Sequence, residues 1–340
     1  MISKPPNWTK LLSPELFKKA FISDKLKELI KQADKDYVYW DKFKHYPMPD
    51  GFTPEEAWVF LKFTRSSHNE ASPVRSLDGG FFTVGTTKTM FQKLSYIDSN
   101  TSGFISSEMG KPTETQKSQM IISSLTEEAI ASSQIEGANT SRKVAKEMLL
   151  SKRKARNRDE QMIINNYMVM QRLMDWKDLP LSKKMLLEIQ ENITDGTLDY
   201  PNDAGRFRKD EDGIHVMNRI TGEVVFTPPN GDFVDKELDR LIKYASELET
   251  IENFIHPVIK ACILHFWIAY LHPFVDGNGR TARAVMNFIL MKKGYPMFFI
   301  PYERREDYYA ALEMADSSNN KGYIKRMLSL IIDQIRSYGR

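Results

Sequence analysis

A single cysteine among 340 residues, Cys262, excludes an intrachain disulfide framework. Neither charge sign dominates: 48 lysines and arginines stand against 45 aspartates and glutamates, a formal net charge of +3. The signs are interspersed, so the one-sided basic field of most nucleic-acid binders is missing, and no nucleic-acid partner is expected. The most apolar stretch, Ala261 to Val275, contains two histidines and is shorter than the roughly 20 residues needed to cross a bilayer, so no membrane partner is expected. Nor does the N-terminus, Met-Ile-Ser-Lys-Pro-Pro-Asn-Trp, carry the apolar segment of a secretory signal, which makes the cytoplasm the expected compartment. No internal repeat is found. What is present, 41% hydrophobic and 27% charged residues, is the composition of an ordinary globular chain, long enough for one large domain or two smaller ones.

Helical patterns dominate the order of residues. Thr53-Pro54-Glu55-Glu56 reads as a helix start, with a hydroxyl cap, proline at the first helical position and carboxylates at the positive end of the dipole. A second helix is expected from Thr87, with Met90, Phe91, Leu94 and Ile97 on one face, and the stretches Ser76–Gly80 and Ser99–Gly110 read as loops. The aromatics Trp8, Tyr37, Tyr39, Trp40 and Tyr46 are assigned to packing. From about Gln116 the helical signal is continuous: Thr126 to Ile135 ends at Gly137, and Val144 to Arg158 and Gln161 to Trp176 follow, the last burying Ile163, Tyr167, Met170 and Met174. The basic run Lys152 to Arg158 is read as the solvated end of the first of these two. Ile214-His215-Val216-Met217 and Val224-Val225-Phe226, around a turn containing Gly222 and closed by Pro228-Pro229, predict a β-hairpin set on a helical scaffold. Its free edge is suited to taking up an extended peptide.

The chemistry concentrates between residues 257 and 293. Pro257 to Leu271 is apolar almost all round, as in a helix at the centre of a bundle. Pro273 disfavours the helical conformation at His272, placing a titratable imidazole at the mouth of the loop Phe274-Val275-Asp276-Gly277-Asn278-Gly279-Arg280. Helical periodicity resumes at Thr281 and runs to Lys293, closed by Gly294. A glycine-rich turn feeding a helix N-terminus leaves backbone N–H groups free to converge on an anion. Arg280 and Arg283, three apart, are both expected to reach a ligand there, and two cations near a positive dipole end need an anion to offset them. Asp276 beside this cradle is a hard oxygen ligand of the kind Mg²⁺ uses. His265, one heptad before His272, is read as a core histidine.

His272-Pro273-Phe274-Val275-Asp276-Gly277-Asn278-Gly279-Arg280-Thr281-Ala282-Arg283 resembles the Fic-family signature His-x-Phe-x-(Asp/Glu)-Gly-Asn-Gly-Arg-x-x-Arg at every specified position. The resemblance implies a mainly α Fic-fold bundle with a β-hairpin flap, transferring AMP from ATP to a Ser, Thr or Tyr hydroxyl of a target protein, and to itself, with release of pyrophosphate. It further implies His272 as the general base, Phe274 as a core anchor, Gly277, Asn278 and Gly279 as an anion hole, Arg280 and Arg283 on the distal phosphates, and Asp276 on Mg²⁺. Ile214 to Met217 become the target-docking strand, working by strand addition, and Tyr308-Tyr309 resembles a pair that contributes to the adenine pocket. Ser132-Ser133-Gln134-Ile135-Glu136-Gly137 resembles the family's inhibitory pattern (Ser/Thr)-x-x-x-Glu-(Gly/Asn), placed N-terminal to the catalytic core, with Glu136 expected to pair with Arg283 and keep it from the γ-phosphate of ATP. On this reading residues 116–340 are the Fic domain, with an inhibitory helix near 126–137, a flap near 213–227 and the motif at 272–283. Residues 1–115 form a mostly helical extension that selects targets or supports a homo-oligomer. Removal of AMP from a modified target, transfer of another phosphate-containing group, and a non-catalytic nucleotide- and peptide-binding module are the alternatives.

Overall fold

The computed structural model describes residues 3–338 apart from 4, 36, 68, 102–113, 218–221, 249 and 317–319. Side-chain caps set many of its helix starts. Asn7 caps α1 (Trp8–Leu11), and Ser13, with Pro14 at the first position, caps α2 (Pro14–Ile22). After α3 (Asp24–Lys35) and α4 (Trp40–Phe43), α5 (Pro54–Ser66) begins at a complete capping box, Thr53 with Glu56. These helices gather Trp40, Phe43 and Trp58 into a core separate from the main one, with Tyr39 in it, Tyr46 packed against it and Tyr37 buried, so the packing reading holds for four of the five aromatics; Trp8 is half-buried outside that core.

The antiparallel pair β1 (Glu70–Arg75) and β2 (Phe81–Val84) follows, and Ser76–Gly80 is its turn. Then comes α6 (Lys88–Thr101), which buries Met90, Leu94 and Ile97. Phe91, expected on that face, is instead 60% exposed, because one position after Met90 carries it about 100° round the helix. Of the loop read at 99–110, residues 99–101 are helical and the rest lie outside the described residues.

The helix read from Thr126 is the end of a longer one, α7 (Glu114–Ile135), and α8 (Arg142–Ser151) stops well short of Arg158. Ser151 turns its hydroxyl back onto the Glu147 and Met148 carbonyls and Lys152 adopts a left-handed φ of 53°, which ends the helix. The basic run therefore lies in a loop, where Arg153 pairs with Glu160, and Asn157 caps α9 (Arg158–Trp176). Next come α10 (Lys183–Thr194) and a hairpin of β3 (Val216–Met217) with β4 (Val224–Phe226), whose turn residues 218–221 lie outside the description.

The remaining helices are α11 (Gly231–Ser246), α12 (Pro257–Leu271), α13 (Asn278–Lys292), α14 (Arg305–Asp316) and α15 (Asn320–Tyr338). The expected span of α12 matches the observed one, and the helix is buried on all sides, packed by α11, α13, α14 and α15. It is the axis of the main core, which also takes in Val74 and Phe82 of the first hairpin. The expected class, mainly helical with a small hairpin, is what is observed, with a second hairpin added. Among the described residues no helix is long and apolar enough to cross a membrane.

Candidate active site

α12 ends at His272, whose backbone is left-handed (φ 47°, ψ 58°) and whose N–H donates to the Ile268 carbonyl at 2.9 Å. That turn brings the imidazole to the rim of the loop leading into α13. The loop is held from within by Asn278, whose side chain accepts from the Phe274 N–H and donates to the Phe274 carbonyl, both at 2.9 Å. Phe274 is fully buried and stacks on Phe207, as its reading as an anchor anticipates. From α10, Gln190 donates to the Asp276 carbonyl at 3.2 Å and accepts from the Gly205 N–H at 2.7 Å. Gly277 has φ 84°, and a Cβ there would lie 3.0 Å from Thr194 Cγ2, so both conformation and space call for glycine.

No side chain caps α13. The carboxylate of Glu136 lies against Gly279 in its first turn, at the positive end of the helix: a Cβ added there would overlap Glu136 Oε1 and approach Arg283 Nη1 to 3.2 Å. Glu136 Oε1 accepts from Arg283 Nη2 at 2.8 Å. Arg283, 1% exposed, also donates from Nε to Ser132 Oγ at 2.7 Å, from Nη2 to the Ser132 carbonyl at 3.0 Å and from Nη1 to Tyr308 Oη at 3.3 Å. Glu136 follows directly on α7, where a helix C-terminus disfavours a carboxylate; the guanidinium and the start of α13 offset that cost.

The two arginines, expected to share one face of the ligand site, leave α13 in different directions. Arg280 donates to the Ile193 carbonyl at 3.0 Å, at the end of α10, and to Asp276 Oδ2 at 3.3 Å. Arg283 reaches across to α7. Asp276 is half exposed, and its Oδ1 accepts from the Gly277 N–H at 2.6 Å. Among the described residues no group of three or more His, Cys, Asp or Glu side chains is arranged to hold a metal. A divalent ion at Asp276 would thus take one protein carboxylate and fill its shell from phosphate and water, the pattern in which Mg²⁺ is usually held.

Burial lowers the His272 pKa to about 4; the positive charge of Arg208 adds to the effect, while a hydrogen bond to the Ala269 backbone and the charges of Glu136 and Asp276 oppose it. The ring is neutral at pH 7 and able to accept a proton. His265 is a core histidine as read: fully buried, with Nε2 3.1 Å from Tyr308 Oη and Nδ1 2.6 Å from Tyr323 Oη. Because a guanidinium only donates, Tyr308 accepts from Arg283 and is left to donate to His265. Tyr308 is therefore buried under Arg283, and Tyr309 donates to the Ile135 carbonyl at 3.0 Å.

At the hairpin only Val216 and Met217 of the predicted run pair with β4, opposite Phe226 and Val224; Ile214 and His215 precede the strand. Arg208 and Glu128 were not among the candidates. Arg208 is bonded to the carbonyls of residues 271–273, and Glu128 is a fully buried carboxyl on α7 whose pKa burial raises to about 8 against the pull of Arg283. Nothing in composition or spacing distinguishes either from other charged residues of this chain.

The structure thus brings a neutral imidazole, a glycine turn at a helix N-terminus and two buried guanidiniums to one place. The description "Fic/DOC family" matches residues 180–290. That segment is similar to the Fic/DOC family, and the chain is similar over part of its length to animal protein adenylyltransferases. It is 32% identical over 140 residues to protein adenylyltransferase fic-1 of Caenorhabditis elegans (41% of this chain, 25% of the relative), and 33% identical over 155 residues to protein adenylyltransferase Fic of Drosophila mojavensis (46% and 28%). The chain spans little more than a quarter of the length of these curated relatives. Among solved structures it resembles Fic-1 of C. elegans with a TM-score of 0.65 at 20% identity, covering 97% of this chain and 89% of that one. A Fic family protein from Desulfovibrio desulfuricans G20 aligns with a TM-score of 0.58 at 23% identity, over 75% of each chain. These likenesses establish the fold, a mainly helical Fic fold with small hairpins, preceded by N-terminal helices.

Proposed function

We propose that the protein is an adenylyltransferase that moves AMP from ATP to a hydroxyl of a target protein, and that Glu136 holds it inactive. The observation that carries this reading is the Glu136 carboxylate lying over Gly279 and paired with Arg283, where an anionic ligand of the α13 N-terminus would lie. On this reading the phosphates of ATP rest on the N–H groups of the Gly277–Gly279 turn, and Arg283 grips the distal phosphate once Glu136 has moved. His272 takes the proton of the target hydroxyl, whose oxygen attacks the α-phosphorus as the bond to pyrophosphate breaks. Positioning and charge stabilisation supply most of the acceleration. Asp276 would hold Mg²⁺, which when bound neutralises phosphate charge. The edges of the β3–β4 hairpin would align the target backbone by strand addition.

Glu136→Gly is expected to raise labelling of the protein and of lysate proteins by radiolabelled ATP severalfold. His272→Ala in that background should lower it by at least about 100-fold, the range general-base catalysis provides. Equal labelling by Glu136→Gly and wild type would show that Glu136 does not inhibit.

A further inference from the structure

The segment just before the hairpin, Gly205-Arg206-Phe207-Arg208, is tied to the His272 loop by side-chain bonds, a backbone bond and a ring contact. Arg208 is buried, and its side chain spends its donors on backbone carbonyls. Nε donates to the His272 carbonyl at 2.7 Å, and Nη2 donates to the Leu271 carbonyl at 3.3 Å and to the Pro229 carbonyl. Its own N–H donates to the Pro273 carbonyl at 2.9 Å, and Phe207 stacks on Phe274 with ring centroids 5.4 Å apart. One residue thus grips three consecutive peptide groups around the imidazole, together with Pro229, three residues past the end of β4. The carbonyls at the end of α12 have no further turn to accept from, and a cation is favoured at that negative end. His272 is also a non-glycine residue in the left-handed region, a conformation that persists where its surroundings over-determine it.

We propose that Arg208 is the positioning residue for His272: it holds the imidazole in its left-handed pose and fixes the base of the hairpin to the same point, so that target strand and general base keep one register. This rests on the adenylyl-transfer reading for its catalytic consequence, but not for its structural one. Among the described residues the hydrogen bonds of Arg208 go to Leu271, His272, Pro273 and Pro229 and not to the α13 N-terminus or Arg283, so anion binding is separable from it. The charged groups acting on the ring are Arg208, Glu136 and Asp276, and of these only Arg208 favours the neutral form.

The test compares Arg208→Met and Arg208→Lys in the Glu136→Gly protein, reading ATP affinity by calorimetry, labelling rate, and the titration of His272 by NMR. With Arg208→Met, kcat for labelling should fall by about 100-fold, the scale of a misplaced catalytic group, while ATP affinity stays within about threefold. The His272 pKa should rise toward its ordinary 6.5. Arg208→Lys, which keeps the cation and part of the carbonyl bonding, should restore part of the rate, and it carries the test if the methionine variant does not fold. Unchanged kcat with an unchanged His272 titration overturns the proposal, as does a parallel loss of ATP binding. If the Glu136→Gly parent labels nothing, the transfer reading fails, and the His272 titration alone then decides the role of Arg208: raised supports it, unchanged refutes it.

Discussion

Glu136 stands where the end of α7 meets the start of α13, two helix ends of opposite polarity, and its neighbours are coupled through it. A methyl group at Gly279 would collide with its carboxylate, so Gly279→Ala should cost the wild type more stability than it costs the Glu136→Gly protein. A coupling of about 1 kcal/mol is expected in a double-mutant cycle by chemical denaturation. Eight residues before Glu136 on α7, Glu128 is fully buried, and burial raises its pKa from 4.5 to about 8 against the pull of Arg283 and Ser132. The unfolded chain releases this proton first, so the wild type loses stability as pH rises through that window. Glu128→Gln, which has no proton to release, should become progressively more stable than wild type from pH 5 to pH 8, by on the order of 3 kcal/mol. Parallel stability curves would show that Glu128 is ionised in the folded protein. For His272 the sign is opposite: with a folded pKa of about 4 against 6.5, its neutral form favours folding above that range, and stability falls as pH drops through it. Because the charge of Glu136 raises this pKa, the acid limb of labelling by the Glu136→Gly protein should fall no higher than about pH 4, well below 6.5.

Elements differ in how far local sequence determined them. α5 is announced by its Thr53–Glu56 capping box, and Thr53→Ala should cost about 1 kcal/mol in thermal unfolding. α12 is legible because fifteen residues free of acidic side chains lie between Pro257 and the Pro273 that ends them. The β3–β4 hairpin is legible from its β-branched runs around Gly222. The first hairpin is not: Glu70-Ala71-Ser72-Pro73-Val74-Arg75 has no clean alternation and carries a proline. It is held by tertiary contacts, Phe82 against Phe266 and Tyr270, and the Leu77 N–H on Tyr270 Oη. α8 was overextended for a related reason, since Lys152 to Arg158 has adequate helix propensity and only the left-handed Lys152 and the Asn157 cap divide it. If the β3 edge aligns targets, Val216→Pro should reduce labelling of lysate proteins while leaving ATP affinity unchanged.

On the scale of the whole molecule, the two larger of the three cores among the described residues do separate work. The N-terminal core around Trp58 shares no residue with the site, so Trp58→Ala should cost about 3–5 kcal/mol there and leave ATP affinity unchanged. A loss of ATP binding by the folded variant would show instead that the two regions are coupled. The main core runs through α12 and α13 and fixes the angle at which His272 faces the cradle. From sequence alone came the helical class, the hairpin, and the loop with its histidine, glycines and arginines, because each is set by residues close in the chain: a proline after a histidine, glycines before a helix, apolar residues all round one segment. The resemblance to an inhibitory pattern anticipated that Arg283 meets Glu136, across 147 positions of chain. Only the tertiary structure decided the other partners: Arg280 turns away to Ile193 and Asp276, and Arg208 clasps the His272 loop from 64 positions upstream. Those pairings depend on how helices distant in sequence pack together, and no local spacing encodes that.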